Sequence, residues 1–263
     1  MRILIAPHEI CGQMGILARA MQSLGYEALS VNFYKQKGSR VYSTDRNLSI
    51  TSGARTFTDH WHQFRFGAWA LKHFDVFHFF FGESLIPRLI DLPFVRHLNK
   101  RIFVHFHGSD VTNKTLRIHA QKAVIFGSES LQSTCPLATG SQLAMITRWR
   151  KYADALFVST PDLLRVVPDA IIIPQAIDLE RWLFDPKQTC CDNDQIVVAH
   201  APTDREIKGT SYIMEAVKQL QSEGIKVQLE LIENVPPEQV ITKLKSAIFV
   251  LTKCFKALTE LFR

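Results

Sequence analysis

No CxxC pair occurs in the chain, and its five cysteines (Cys11, Cys135, Cys190, Cys191 and Cys254) are odd in number and irregular in spacing. That pattern gives neither a disulfide framework nor a zinc-ligand spacing. Reduced thiols in a cytoplasmic protein are the expectation. No stretch approaches the ~18 apolar residues of a membrane span. The opening MRILIAPHEI has an apolar run that breaks at Pro7 and His8, too short for a signal-peptide core. The sequons at Asn47 and Asn113 therefore carry no weight. Low-complexity tracts, a GxSxG nucleophile elbow and a paired-carboxylate motif are all missing. Lysine and arginine are scattered rather than gathered in a stripe, which speaks against nucleic acid. What is present is a chain of 263 residues, 46% hydrophobic and 21% charged. That is the balance of a globular protein with a substantial core, long enough for two domains. The net charge of +6 suits phosphate-bearing ligands or an anionic membrane face.

Short apolar runs alternate with helical patterns, the signature of βα units and a parallel sheet. The pattern predicts a strand over Arg2–Ala6, the loop PHEICGQMG, a helix from about Gly15 to Leu24 closed by Gly25, and a strand over Glu27–Phe33. Residues 35–60 are polar and read as a long surface excursion. Trp61–Phe74 reads as a helix packed on the sheet, with contact to a membrane surface as the alternative. Val76–Phe81 and Ile102–Phe106 are continuous apolar runs, as buried parallel strands should be. Leu85–Leu98 is mixed, and residues 112–136 give no assignment. A helix over Ser141–Tyr152 and strands over Ala155–Ser159 and Ile171–Ile173 follow. FDPKQTCCDND has turn residues, charge and no periodicity. It sets the expected organisation: residues 1–184 as a complete Rossmann-like domain, 185–194 as a linker, and 195–263 as a partial second Rossmann-like domain. There the pattern predicts strands over Ile196–His200, Val227–Ile232 and Ile248–Leu251, and helices over Thr210–Ser222 and Glu238–Ser246. Leu251, Phe255, Leu258 and Phe262 recur at helical spacing, so the tail reads as an amphipathic helix.

Three constellations carry chemistry. Gly12 and Gly15 lie in a strand-to-helix turn, where glycines let backbone N–H groups approach a phosphate; a tight turn needing small residues is the alternative. Full GxGxxG is lacking, and the end of the second strand offers Asn32 rather than an acid for a ribose, which disfavours a nicotinamide cofactor. His105-Phe106-His107-Gly108-Ser109-Asp110 ends a buried strand, where open α/β sheets bind ligands. Strand alternation puts His105 and His107 on one face. His107, nearest the rim, can hydrogen-bond a sugar hydroxyl or a carbonyl; a third ligand for zinc is not found, so no metal is expected. Arg205 and Lys208, with Gly209, precede a helix and make a diphosphate site: arginine grips phosphate oxygens in a fork and lysine adds a point charge. A solvated basic loop is the alternative. Ser159-Thr160-Pro161-Asp162 reads as a helix cap with proline at the first helical position.

The segments ILIAPHEICGQMGILARAMQSLGYEA, IFVHFHGSD, YADALFVSTPDLL with IIIPQAIDLERW, and HAPTDREIKGTSYIMEAV, in that order, resemble the group 1 (family 4) glycosyltransferases of the GT-B fold. The resemblance runs from residue 2 to about residue 247. It implies transfer of a sugar from a nucleotide-diphosphate donor to an acceptor hydroxyl with retention of anomeric configuration. It places the donor mainly on the C-terminal domain and an acceptor glycan, lipid or small molecule on the N-terminal one. Arg205, Lys208 and Gly209 then match the donor diphosphate site, Gly12 and Gly15 the loop that closes over the donor, His107 a position near the transferred sugar, and Asp110 the acceptor side. No metal and no cofactor beyond the nucleotide sugar are implied, and a weak peripheral membrane contact stays open. After Lys245-Ser246-Ala247 the family pattern continues through an Asp-initiated strand, a Gly-rich loop and an E-x7-E helix. Here the sequence reads IFVLTKCFKALTELFR, with Glu260 its only acid. The expectation is a C-terminally truncated chain with an incomplete donor site and impaired transfer. The other reading is a non-catalytic remnant that binds a nucleotide or a partner.

Overall fold

The computed structural model describes residues 1–36, 41–51, 56–113, 115–116, 137–179 and 195–252. The chain is α/β, as expected. The described residues up to Ile177, Val41 apart, form one compact unit and those from Asp178 onward a second. The linker expected at 185–194 lies outside the described residues, as do most of 112–136, the tail with Phe255, Leu258, Glu260 and Phe262, and every cysteine except Cys11. No helix of the described residues is long and apolar enough to cross a membrane.

The first unit is built on a seven-stranded sheet. Its strands are β1 (Arg2–Ala6), β2 (Glu27–Tyr34), β3 (Arg46–Ile50), β4 (Val76–Phe80), β5 (Arg101–Phe106), β6 (Ala155–Val158) and β7 (Ile171–Ile172). They run β3-β2-β1-β4-β5-β6-β7 across the sheet, and every pairing is parallel. Strands covered on both faces read as unbroken apolar runs. Four of the five residues of β4, VFHFF, are buried. The helices are α1 (Gln13–Ser23), α2 (Phe57–His73), α3 (Leu92–His97) and α4 (Gly140–Tyr152). On one sheet face Phe66 and Ala70 of α2, Leu92 and Val95 of α3, and Ile146 and Trp149 of α4 close the main core over Phe77, Phe79, Val104 and Phe106. On the other face Met14 and Ala18 of α1 pack on Ile3, Ile5, Val76 and Phe80.

The surface excursion expected over 35–60 is corrected by the structure. It contains β3, which pairs with β2 at the sheet edge, and the start of α2. An edge strand has one face and one side in solvent, so RNLSI buries only Ile50 fully and leaves no apolar run to read. Its anchor is Asp45, which accepts from the Ser30 backbone N–H and hydroxyl, each at 2.7 Å. Helix α2 begins four residues before the expected Trp61. Thr56 caps the Asp59 N–H and the Asp59 carboxylate returns to the Thr56 N–H, a reciprocal box spelled T-F-T-D in the sequence. A matching box, Thr139 with Gln142, starts α4.

In the second unit β8 (Ile196–His200) lies between β10 (Phe249–Val250) and β9 (Val227–Leu231), all parallel. The single helical turn α5 (Arg205–Lys208) occupies a stretch expected to be loop, whereas α6 (Thr210–Ser222), α7 (Pro237–Lys245) and the three strands fall within two residues of the periodicity-based expectation. Val198, Val217 and Val227 form the small core of this unit.

Candidate functional site

From β1 the chain crosses to β2 on one side, while the next strand after β3 takes the place on the other side of β1. That reversal opens a crevice at the carboxyl ends of β1 and β4, the place where doubly wound sheets take ligands. The residues that leave those ends are polar. His8 and Glu9 follow β1, Glu83 follows β4, His107 follows β5 and Ser159 follows β6. His8 Nδ1, Glu9 Oε1, both ring nitrogens of His107 and Ser159 Oγ are buried without a hydrogen-bond partner. Buried polar groups are nearly always paired, so such a cluster on one rim has capacity for a polar ligand. His8 lies between the rings of Tyr34 and Phe81, at 4.9 and 4.6 Å. Its Nδ1 is 3.6 Å from Glu83 Oε1, and Tyr34 Oη donates to Glu83 Oε2.

His107 is half-buried. Its ring stacks on Phe80 at 5.0 Å and on His105 at 4.5 Å, and His105 stacks in turn on His78 at 5.9 Å. Burial drives the His107 pKa down to about 3, and His105 and His8 push the same way. Burial also lowers His78 to about 3, aided by His105 and His107. Burial takes His105 down to about 4, against a hydrogen bond with the Ile173 backbone that favours its charged form. The three rings are therefore neutral near pH 7 and act as hydrogen-bonding groups, not cations. His78 and His105 also line an apolar cavity of about 690 Å³ on the α1 face of the sheet.

Asp110 sets the turn that presents His107. Its carboxylate accepts the backbone N–H groups of His107 (3.1 Å), Gly108 (2.7 Å) and Val111 (3.1 Å). Thr112 Oγ1 donates to the Gly108 carbonyl at 2.7 Å and closes the loop. Burial pushes the Asp110 carboxyl up to about 6 in spite of those amides. With its oxygens turned to the backbone, Asp110 holds the turn that carries His107.

The glycine turn is accounted for by the protein itself. Gly12 has φ 83° and stands at the N-cap of α1. A Cβ on Gly15 would meet the Ser43 carbonyl oxygen at 2.3 Å, so close packing of the segment before β3 demands glycine there. Glu9 Oε2 accepts the Gly15 N–H at 3.3 Å. Burial raises the Glu9 pKa, while the amides of Gly15, Met14, Gly12 and Ile10 oppose that rise. The carboxylate already meets the N–H groups at the start of α1, where the sequence suggests a phosphate. Gln13, beside it, bonds Ala176 in both directions, at 2.9 and 2.7 Å.

In the second unit Arg205 forks onto Glu233: Nε donates to Oε1 at 2.8 Å and a terminal nitrogen donates to Oε2. Lys208 is half-buried and has no ion pair among the described residues. It is followed by Gly209, the N-cap of α6, whose first turn carries no acid and no side-chain cap. Open amides plus a lysine suit an anion. His200 fixes this terminus, with Nε2 2.9 Å from Thr210 Oγ1 and Nδ1 2.7 Å from the Leu251 carbonyl oxygen. The structure thus groups His107 with Asp110, Gly12 with Gly15, and Lys208 with Gly209, while Arg205 is held by a carboxylate. No group of three or more metal-ligating side chains exists among the described residues.

Sequence reasoning missed His8, Glu9, Glu83 and Ser159. The first three follow strands that only the sheet order makes neighbours. Ser159 hides in a sequence read as a cap, whereas the residue at the cap of the Pro161–Arg165 turn is Thr160, without a side-chain bond. No family model and no curated protein matches this chain. Among solved structures, a glycosyltransferase from Rickettsia africae ESF-5 is similar over 94% of this chain and 71% of its own, at TM-score 0.50 and 11% identity. A UDP-GlcNAc 2-epimerase from Methanocaldococcus jannaschii is similar over 99% and 76%, at TM-score 0.45 and 11% identity. The likeness to the Rickettsia structure, at this identity, speaks to the fold alone, which agrees with the GT-B-like, Rossmann-type α/β class expected from the sequence.

Proposed function

We propose that the chain is a group 1 (family 4) type glycosyltransferase that moves a sugar from a nucleoside-diphosphate donor to an acceptor hydroxyl, with retention. The observation that carries the reading is the unpaired polar rim of the first unit, with neutral His107 at its centre. A neutral imidazole suits a sugar hydroxyl, which needs a hydrogen bond rather than a charge. In this reading the second unit holds the diphosphate. Lys208 and the amides at the start of α6 stabilise charge on the leaving diphosphate as the new glycosidic bond forms and the old one breaks. Arg205 joins them when it turns from Glu233. The first unit presents the acceptor, and a cytoplasmic location goes with a cytoplasmic nucleotide sugar.

Calorimetry with UDP and GDP tests the donor side. Lys208→Ala and Arg205→Ala should each weaken binding by about 1.5–3 kcal/mol, the worth of one charge-assisted hydrogen bond. No binding of either nucleotide at millimolar concentration ends the proposal. One observation favours a second reading, a nucleotide- or partner-binding module without transfer: Arg205 is already engaged by Glu233. Nucleotide binding with no turnover of any nucleotide sugar decides for it.

A further inference from the structure

Helix α2 buries Gln63, Phe66, Gly67 and Ala70. At 3.6 residues per turn its opposite face is formed by Phe57, Trp61, Phe64, Arg65, Ala68 and Lys72, all within about 100° of arc. Every one of these is exposed. Phe57 is 84% exposed, Trp61 52% and Phe64 56%, and the rings of Trp61 and Phe64 stack at 6.2 Å. A lone exposed aromatic needs no explanation, but a continuous aromatic stripe on one helix face marks an interaction surface.

Beside the stripe lies a hollow of about 440 Å³ lined by Arg46, Leu48, His62, Arg65, Phe66 and Trp69. The Arg46 guanidinium rests 5.8 Å from the Phe66 ring and 5.9 Å from the Trp69 ring. No carboxylate pairs with Arg46 or Arg65 among the described residues. The sole acid of α2, Asp59, is turned to the Thr56 N–H at the helix start. Two unpaired guanidinium groups next to stacked aromatics match an anionic lipid surface: rings sit at the headgroup level and cations meet phosphates. In a parallel sheet a crossover helix runs opposite to the strands. The aromatic start of α2 therefore lies at the carboxyl end of the sheet, the end that carries His8 and His107.

We propose that the exposed face of α2, with Arg46 from β3, docks the protein peripherally on an anionic lipid bilayer. The proposal stands apart from the transferase reading, because no residue of this surface belongs to the candidate site.

Co-sedimentation of the full chain with vesicles tests it, comparing pure phosphatidylcholine with phosphatidylcholine containing about 30 mol% phosphatidylglycerol. Wild type should bind the anionic vesicles several-fold more strongly, with a blue shift of Trp61 fluorescence, and should release at high salt. Each cation near a bilayer is worth about 1 kcal/mol, so R46Q and R65Q should each reduce partitioning about fivefold and the pair roughly 25-fold. The variant W61S/F64S should bind at least about tenfold less, having lost its apolar anchors. Trp61, Phe64 and Arg65 are exposed, so the thermal transition of W61S/F64S and R65Q should not move, and R65Q provides a test that leaves both the aromatic face and the Arg46 contacts with Phe66 and Trp69 intact. The proposal is overturned if wild type stays in the supernatant with anionic vesicles at low salt, or if the variants bind as well as wild type. It is equally overturned if W61S/F64S abolishes self-association in sedimentation equilibrium while leaving vesicle binding unchanged, because the stripe would then be a protein interface.

Discussion

Replacing Gly15 with alanine separates two explanations of the glycine turn. If Gly15 is there to let a phosphate approach, Gly15→Ala should leave the empty protein as stable as before and harm only ligand binding. The structure argues otherwise. The added methyl would lie 2.3 Å from the Ser43 carbonyl oxygen, well inside any van der Waals contact, and the obstacle is backbone rather than a flexible side-chain end. Relief requires moving the segment around Ser43 away from α1. That segment leads into Asp45, which is tied to Ser30 through three hydrogen bonds of 2.7 to 2.9 Å. Overpacking of this kind costs about 1–3 kcal/mol, occasionally more. Alanine returns up to about 1 kcal/mol through helix propensity, because Gly15 stands in the first turn of α1. A 2.3 Å approach to backbone puts the cost at the upper end of that range, so a net loss of about 2–3 kcal/mol should lower the melting temperature of a unit this size by about 4–12 °C. Three of the four tryptophans, Trp61, Trp69 and Trp149, lie in the first unit, so tryptophan fluorescence of a Trp182→Phe background follows its melting. A Gly15→Ala protein that melts within a degree of wild type, without nucleotide, would refute the packing argument.

Acid should unfold the first unit through its histidine stack. His78, His105 and His107 have folded pKa values of about 3, 4 and 3, below the ordinary value of ~6.5, so the unfolded chain binds more protons between those limits. The stability they contribute is intact above about pH 6.5 and is lost as pH falls through the folded values. In urea titrations His105→Phe should flatten that loss by up to about 1.4 kcal/mol per pH unit, one proton's worth; an unchanged slope would contradict burial as the cause. Asp110→Ala leaves the His107 and Gly108 N–H groups without their acceptor, while the Val111 N–H keeps the Gly108 carbonyl, and should cost about 2–4 kcal/mol. Asp110→Asn, which keeps one acceptor oxygen, should cost less, and equal urea midpoints for the two variants would speak against the positioning role.

How far the sequence carries the reader depends on what each residue faces. Strands β1, β4 and β5 are covered on both sheet faces, so their apolar runs mark them without further help. By contrast β3 reveals nothing, because an edge strand half in solvent can be built from RNLSI and held by Asp45 reaching Ser30. The same limit governs the site. His107 is legible, since it ends a buried strand and precedes Gly108. Its neutrality is not, because burial and the neighbouring rings come from register: Phe80 faces His105 across the β4–β5 ladder, which brings His78, His105 and His107 into one stack. Glu9 shows the point most sharply. The sequence shows a glycine turn before a helix and suggests an anion from outside, whereas the fold turns an acid of the same loop onto the amides. Only the order of strands makes Glu83 a neighbour of His8, because β4 inserts beside β1 after the chain has gone out to β3 and returned. A rim assembled from the ends of β1, β4, β5 and β6 is a property of topology. Local pattern can supply its histidines one at a time, but it cannot say that they and two carboxylates face the same crevice.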